Sequence, residues 1–199
     1  MTLEYLNAMD EPDELTDLAE YRSFIGKIQQ QLPVRPDIVW AASKWATRMA
    51  GAGPTKRDRE ALVHGVNYLW QTRDRGLFLK RGDQDGREYL IKVIGWSDAS
   101  GTTGPDSRSQ ICTGLSIVAV RRGATDEEAV AESRTTGLIN VHSYRTSDTP
   151  LSLTEAEIVG VVEETKNVIW TRNLLKELHQ EQLEATPIYN DNAPSRDKI

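Results

Sequence analysis

The sequence predicts an α/β protein: three antiparallel strands, a long helix and a fourth strand running parallel, forming one mixed sheet, with a small helical region ahead of it. Three observations carry this. Residues 89–144 hold three apolar runs rich in β-branched residues, separated by turn-forming or polar stretches. Ser152 and Glu155 form an S-x-x-E signature that opens a long helical pattern. A short apolar run, residues 186–190, follows that helix, so its strand returns after a crossover and lies parallel to a neighbour.

Along the chain, residues 1–20 read as an acidic tail, loose or at most a short helix. Residues 21–79 read as helical. Pro36 and Asp37 precede Ile38, Ala42, Trp45 and Met49 at helical spacing. Gly51, Gly53 and Pro54 then stop that helix. Thr55 with Asp58 is a capping box shortened to Asp, and it opens a helix whose stripe is Leu62, Val66 and Leu69, ending at Gly76. Two such helices pack as an antiparallel hairpin. The tryptophans of this region are expected to be packing residues rather than a stacking platform for bases.

Residues 80–88 (KRGDQDGRE) read as a polar linker marked by glycine. Residues 89–199 form the sheet region. Its first strand runs from Tyr89 to Ser97 and ends at Asp98, and a turn at Gly101, Gly104 and Pro105 follows. The second strand is residues 111–120. A polar insertion of little strand character precedes the third, residues 138–144. The long helix starts near Ser152, with Ile158, Val161, Val162, Thr165 and Ile169 expected on its buried face. The fourth strand ends at Asp191.

Composition narrows the function classes. Hydrophobic residues make up 38% of the chain, adequate for a packed core. No apolar run approaches the roughly 20 residues of a membrane helix, so no membrane partner is expected. The single cysteine, Cys112, cannot form an internal disulfide and excludes a cysteine-based zinc site. The net charge of −6 is uneven: residues 1–20 carry seven acids and no base, leaving 23 acids against 24 bases elsewhere. Residues 56–92 hold nine bases against six acids, a mildly basic stretch that can touch a phosphate backbone or simply face solvent.

Three carboxylates occupy telling positions. Asp98 closes the first strand, Glu157 lies in the second turn of the long helix, and Asp191 closes the fourth strand. Acids at strand ends and near a helix start can converge at one sheet edge. Hard oxygen ligands of this kind suit Mg²⁺ or Mn²⁺, and two such ions can activate water and stabilise the leaving oxygen of a phosphodiester. The chain holds 30 acids, and position alone does not separate this reading from ordinary solvated or capping carboxylates. Other chemistries find less support. His64, His142 and His179 lack metal-ligand spacing. Ser97 and Ser152 have no histidine and acid partners. Gly101 and Gly104 are not followed by a helix start and lysine. Asp106 fits a turn better than a metal site.

The wording around these residues is specific as an ordered set. YRSFIG at 21–26, RPDIVWAAS at 35–43, Pro54–Thr55 and YLWQTRDRGL at 68–77 resemble the end of copia-type reverse transcriptases. GWSDA at 95–99, SRSQICTG at 107–114, LTEAEI at 153–158 and IYNDN at 188–192 resemble the ribonuclease H domain that follows in the same retrotransposon Pol polyproteins. The resemblance implies a ribonuclease H-like fold and a reverse-transcriptase connection region over 21–79. It implies hydrolysis of the RNA strand in RNA–DNA hybrids with two divalent ions. Asp98 would bridge both ions, and Glu157 and Asp191 would each help anchor one. Glu157 is chosen over Glu155 as the second acid of the T-E-A-E pattern; helical spacing does not decide between them, and a capping role for Glu155 agrees.

The implied partners are the hybrid and the rest of the polyprotein. The implied location is cytoplasmic, inside virus-like particles in the family, or nuclear. The sequence departs from the family pattern in several places. Ser100 and Gly101 follow Ala99 where the family has an aspartate and a tryptophan. HSYRTSDTPLSL lacks the customary tryptophan and lysine pair, and the insertion around 124–134 is unusual. The family fold continues with further helices, a fifth strand and a fourth metal-binding acid. A C-terminally incomplete copy is therefore expected, either still a nuclease or an inactive binding or assembly module. In such a copy the exposed sheet edge would invite self-association.

Overall fold

The computed structural model describes residues 13–79, 88–100, 108–147 and 149–191. It divides into two compact units, Met1–Gly76 and Leu77–Ile199. The turn expected at Gly101, Gly104 and Pro105, the placement of Asp106 and most of the 80–88 linker lie outside the described residues.

In the first unit, α1 (Leu18–Gln29) starts at Asp17, whose carboxylate accepts from the Ala19 and Glu20 amides. Residues 13–20 of the acidic segment are therefore held in place. Glu14 pairs with Lys56 at 2.6 Å and Glu20 with Arg59 at 3.0 Å, while Asp13 accepts from the Arg57 amide at 3.0 Å. These acids gather at the start of α3 (Lys56–Gln71), where a helix N-terminus favours negative charge. A 3₁₀ turn (Pro36–Ile38) leads into α2 (Val39–Thr47). The capping box of α3 forms as expected, with Thr55 and Asp58 exchanging side-chain and backbone bonds. The helix ends at Gln71, short of Gly76, because Arg35 takes both the carbonyl and the hydroxyl of Thr72 at 3.1 and 2.7 Å. Tyr21, Ile25, Ile38, Ala42, Trp45 and Leu62 form the core. Trp45 is fully buried, as expected of a packing residue, but Trp70 is 71% exposed beneath the Arg73 guanidinium.

In the second unit, β1 (Tyr89–Ser100) and β2 (Gln110–Arg121) pair antiparallel along their whole length, with Asp98 opposite Cys112. The first strand runs past Asp98 to Ser100, because its pairing continues through Ala99 and Ser100. The polar insertion contains a helix that the sequence reading missed, α4 (Asp126–Ser133), opened by a Thr125–Glu128 capping box. β3 (Leu138–Arg145) pairs antiparallel with β2, and β4 (Ile188–Tyr189) pairs parallel with β1. The strand order is β3-β2-β1-β4. The fold is thus α/β with a four-stranded mixed sheet, and the described residues hold five α-helices.

The long helix α5 (Leu153–Glu177) covers one face of this sheet through Ala156, Gly160, Val168 and Leu175 against Val93, Ile111 and Leu115. Ile94, Val118 and Val120 pack instead with Ala129 of α4. The buried face of α5 differs from the expected one. Val161 is buried, but Val162 and Ile169 are 49% and 54% exposed. The helix is apolar on more than one side, so hydrophobicity alone does not select the sheet-facing side. Close approach does: a Cβ at Gly160 would lie 2.5 Å from Ser97 Oγ, so the smallest side must face β1. Among the described residues, no helix is long and apolar enough to cross a membrane.

Candidate metal centre

The three sequence-selected acids meet. Asp98, Glu157 and Asp191 each offer a carboxylate oxygen, and these oxygens lie within 4.8 Å of one another. Three separate elements deliver them. Asp98 sits two residues before the end of β1. Glu157 is in the second turn of α5, whose start is fixed by the Ser152 hydroxyl accepting from the Glu155 amide at 3.1 Å. Asp191 follows β4, which is held beside β1 by the pairs Gly95–Ile188 and Trp96–Tyr189. The Glu155 carboxylate caps the helix, though its partner is the Leu151 amide at 2.6 Å rather than that of Ser152.

The three acids are not equivalent. Asp98 and Asp191 are exposed, whereas Glu157 is only 2% exposed. Burial raises the Glu157 carboxyl above the usual carboxylate range, and the charges of Asp98 and Asp191 push the same way. Two neutral donors oppose that shift: the Asn190 amide and the Ala99 backbone N–H. Asn190 Nδ2 donates to Glu157 Oε2 at 2.7 Å and to the Ser97 carbonyl at 3.2 Å. A buried carboxylate facing two further carboxylates, steadied by neutral donors, is an arrangement that a hard divalent cation relieves. The donor set fits Mg²⁺ or Mn²⁺.

Beside the acids lies an open groove of about 420 Å³, lined in part by Trp96, Cys112, Gly114, Tyr189 and both exposed aspartates. The Trp96 and Tyr189 rings are 5.2 Å apart between centroids. The Cys112 thiol is pushed up by burial and by the charges of Asp98 and Glu164, so it stays protonated and is a poor nucleophile.

Sequence reasoning missed two residues. Asn190 lay within a quoted motif without a role. Glu164 was not singled out, although it follows Glu157 by seven residues and therefore shares its helix face. It is fully buried, and its Oε1 has no hydrogen-bond partner. Burial raises its pKa to about 7, against the opposing effects of the Asn167 and Thr113 side chains.

The chain is 28% identical over 179 residues to the retrovirus-related Pol polyprotein from transposon RE1 of Arabidopsis thaliana, and 27% identical over 179 residues to that from transposon RE2 of the same plant. Each match covers 90% of this chain and 11% of the relative, so the chain spans about a tenth of the length of the curated relatives it matches. The likeness to a retrotransposon Pol polyprotein that the motifs carry is therefore borne out. No family model matches the sequence. No solved structure matches it either.

Proposed function

We propose that the second unit is a ribonuclease H-type domain of a copia-type Pol polyprotein and that residues 21–79 belong to the connecting end of its reverse transcriptase. The ancestral reaction is hydrolysis of the RNA strand in RNA–DNA hybrids at a pair of Mg²⁺ or Mn²⁺ ions. The observation that supports this best is the meeting of Asp98, Glu157 and Asp191, three residues far apart in sequence and selected by motif.

Asp98, Glu157 and Asp191 would hold the ions. Bound divalent ions acidify an attacking water and neutralise charge on a leaving oxygen. The protein's part is placement. Exposed Asp98 and Asp191 keep the corner open to a phosphodiester and to water. Buried Glu157 is fixed by donors from β1 and from the end of β4. The groove along Trp96 and Tyr189 gives the sugar an apolar wall. Groove shape and 2′-hydroxyl groups are the features by which such a site tells a hybrid from DNA. The remaining partner is the rest of the polyprotein.

The test is cleavage of a labelled RNA–DNA hybrid with Mg²⁺ or Mn²⁺ by the natural chain and by Asp98→Asn. Cleavage that disappears in the variant supports the nuclease. A folded natural chain that leaves the hybrid intact supports a second reading, a catalytically inactive module that binds or assembles. One observation favours that second reading: Val162, Ile169, Trp170, Leu174 and Leu178 of the α5 segment are exposed, a larger apolar display than isolated surface residues make. Concentration-dependent mass in solution would reveal such assembly.

A further inference from the structure

We propose that Asn190 is the positioning residue of the acidic centre: one side-chain amide holds the buried acid of α5 and places the neighbouring acid of β4 beside it. This rests on the reading of Asp98, Glu157 and Asp191 as a metal site, and it adds the group that sets their geometry.

β4 is only lightly paired with the sheet. The strand is two residues long and makes two register pairs with β1. Two parallel pairs are a weak anchor for an acid placed two residues after them. The Gly95 amide adds one bond, to the Pro187 carbonyl at 3.0 Å, but at the opposite end of the strand from Asp191. On the Asp191 side, beyond the Trp96–Tyr189 pair, Asn190 adds a restraint. Its Nδ2 carries two hydrogens and uses them on two different elements: the Ser97 carbonyl of β1 at 3.2 Å and Glu157 Oε2 of α5 at 2.7 Å. Each bonded group is next to, or is, one of the acids. Ser97 precedes Asp98, Glu157 is itself an acid of the site, and Asn190 precedes Asp191. A single amide therefore links the backbone or side chain of all three acid-bearing segments.

The chemistry of the amide suits the task. A lysine or arginine here would neutralise Glu157 and compete with a cation for it. An aspartate would add a fourth negative charge. A neutral donor steadies the carboxylate, occupies one of its oxygens and leaves its charge available to a metal. The bond also needs a side chain of this length, since it must reach from the end of β4 to a carboxylate that is 2% exposed.

The test compares two ways of loosening β4. Asn190→Leu keeps size and removes both bonds. Ile188→Ala keeps the amide and removes apolar packing from the cluster with Val93, Leu115 and Val168. Mn²⁺ binding is read by the loss of its free-ion paramagnetic resonance signal, and folding by thermal melting of the metal-free protein. The expected pattern is crossed. Asn190→Leu weakens Mn²⁺ binding about tenfold or more with a small change in melting temperature. Ile188→Ala lowers the melting temperature with a small change in Mn²⁺ affinity. Asn190→Leu binding Mn²⁺ as tightly as the natural chain overturns the proposal.

A second readout needs no metal. Asn190→Leu, Glu157→Leu and the double variant are unfolded in urea without Mn²⁺. Coupling predicts that the change in the double variant differs from the sum of the two single changes, whereas additive changes overturn the proposal. A natural chain that binds no Mn²⁺ but shows this coupling separates the two claims: the metal reading fails, and the placement of Glu157 by Asn190 stands.

Discussion

Glu157 and Glu164 lie two turns apart on one face of one helix, both buried, both with carboxyls raised by burial. Their surroundings differ in kind. Glu157 faces two more acids and an amide at the end of β1. Glu164 lies under Gly95, where a Cβ would come within 3.1 Å of its Cγ, and its Oε1 makes no hydrogen bond among the described residues. Burial of a carboxyl therefore does not make a site. Convergence of further ligands does, and helical spacing alone cannot separate the two residues.

Removing a ligand should give the largest contrast. Asp98→Asn lowers Mn²⁺ affinity and hybrid cleavage by about a hundredfold or more. Glu164→Gln, about 10 Å along the helix axis from Glu157, leaves both within about twofold. Titration calorimetry and the hybrid assay read the two variants side by side. Equal losses in both would erase the distinction drawn between Glu164 and the three converging acids.

Stability should show the reverse order. The pKa of Glu164 is raised to about 7 in the fold, from an ordinary value of 4.5. A raised carboxyl binds its proton more tightly folded than unfolded. Stability is therefore fullest below pH 4.5 and falls as pH rises through about 7. The shift corresponds to about 3 kcal/mol at most, and because a buried glutamine also needs partners, Glu164→Gln should gain about 2 kcal/mol at pH 8. At pH 4 the gain disappears. Urea unfolding at the two pH values measures both, and a gain independent of pH would mean that folding does not raise the Glu164 carboxyl.

Much of this contrast was legible in the sequence, but unevenly. Three antiparallel strands with a parallel fourth, the capping signals at Thr55 and Ser152 and the three converging acids follow from period, caps and motif. The orientation of α5 did not. Val162 and Ile169 satisfied the apolar period as well as Ala156 and Val168 do, and the decision lay in the tight approach of Gly160 to Ser97, which no hydrophobic pattern encodes. The helix at Asp126–Ser133 was hidden by its own polarity, although its Thr125–Glu128 box was readable. Asn190 carried no signal because its role depends on two partners 33 and 93 residues away.

Metal binding should connect the acids to stability in a pH-dependent way. Mg²⁺ at ten times its dissociation constant stabilises the fold by about 1.4 kcal/mol, a rise of roughly 4 °C in melting temperature. The proton competes for Glu157, whose carboxyl is already raised by burial and by Asp98 and Asp191. The Mg²⁺-induced rise should therefore shrink as pH falls from 8 to 5, and it should vanish at either pH in Asp98→Asn. A rise that survives in that variant places the ion elsewhere.

The smallest effect concerns the approach of Gly160, which lies between the two glutamates on α5, to Ser97. Ser97 Oγ is buried and has no hydrogen-bond partner, while the Ser97 carbonyl is the group that Asn190 uses. Ser97→Ala removes an unsatisfied hydroxyl and keeps that carbonyl, so it should gain up to about 1 kcal/mol without changing Mn²⁺ affinity. Gly160→Ala in the natural background drives a methyl to within 2.5 Å of that hydroxyl. The resulting strain, about 1 kcal/mol or more, offsets the helix preference of alanine over glycine, about 1 kcal/mol. With Ser97→Ala in place the obstruction is gone, and the remaining contact to Ile111 Cγ2, at 3.3 Å, needs only a small adjustment. Gly160→Ala should then stabilise. A neutral or unfavourable change that becomes favourable in the second background, read by urea unfolding of the four proteins, ties the helix to β1 through this contact; the same change in both backgrounds would mean that α5 is held at its distance by something other than Ser97.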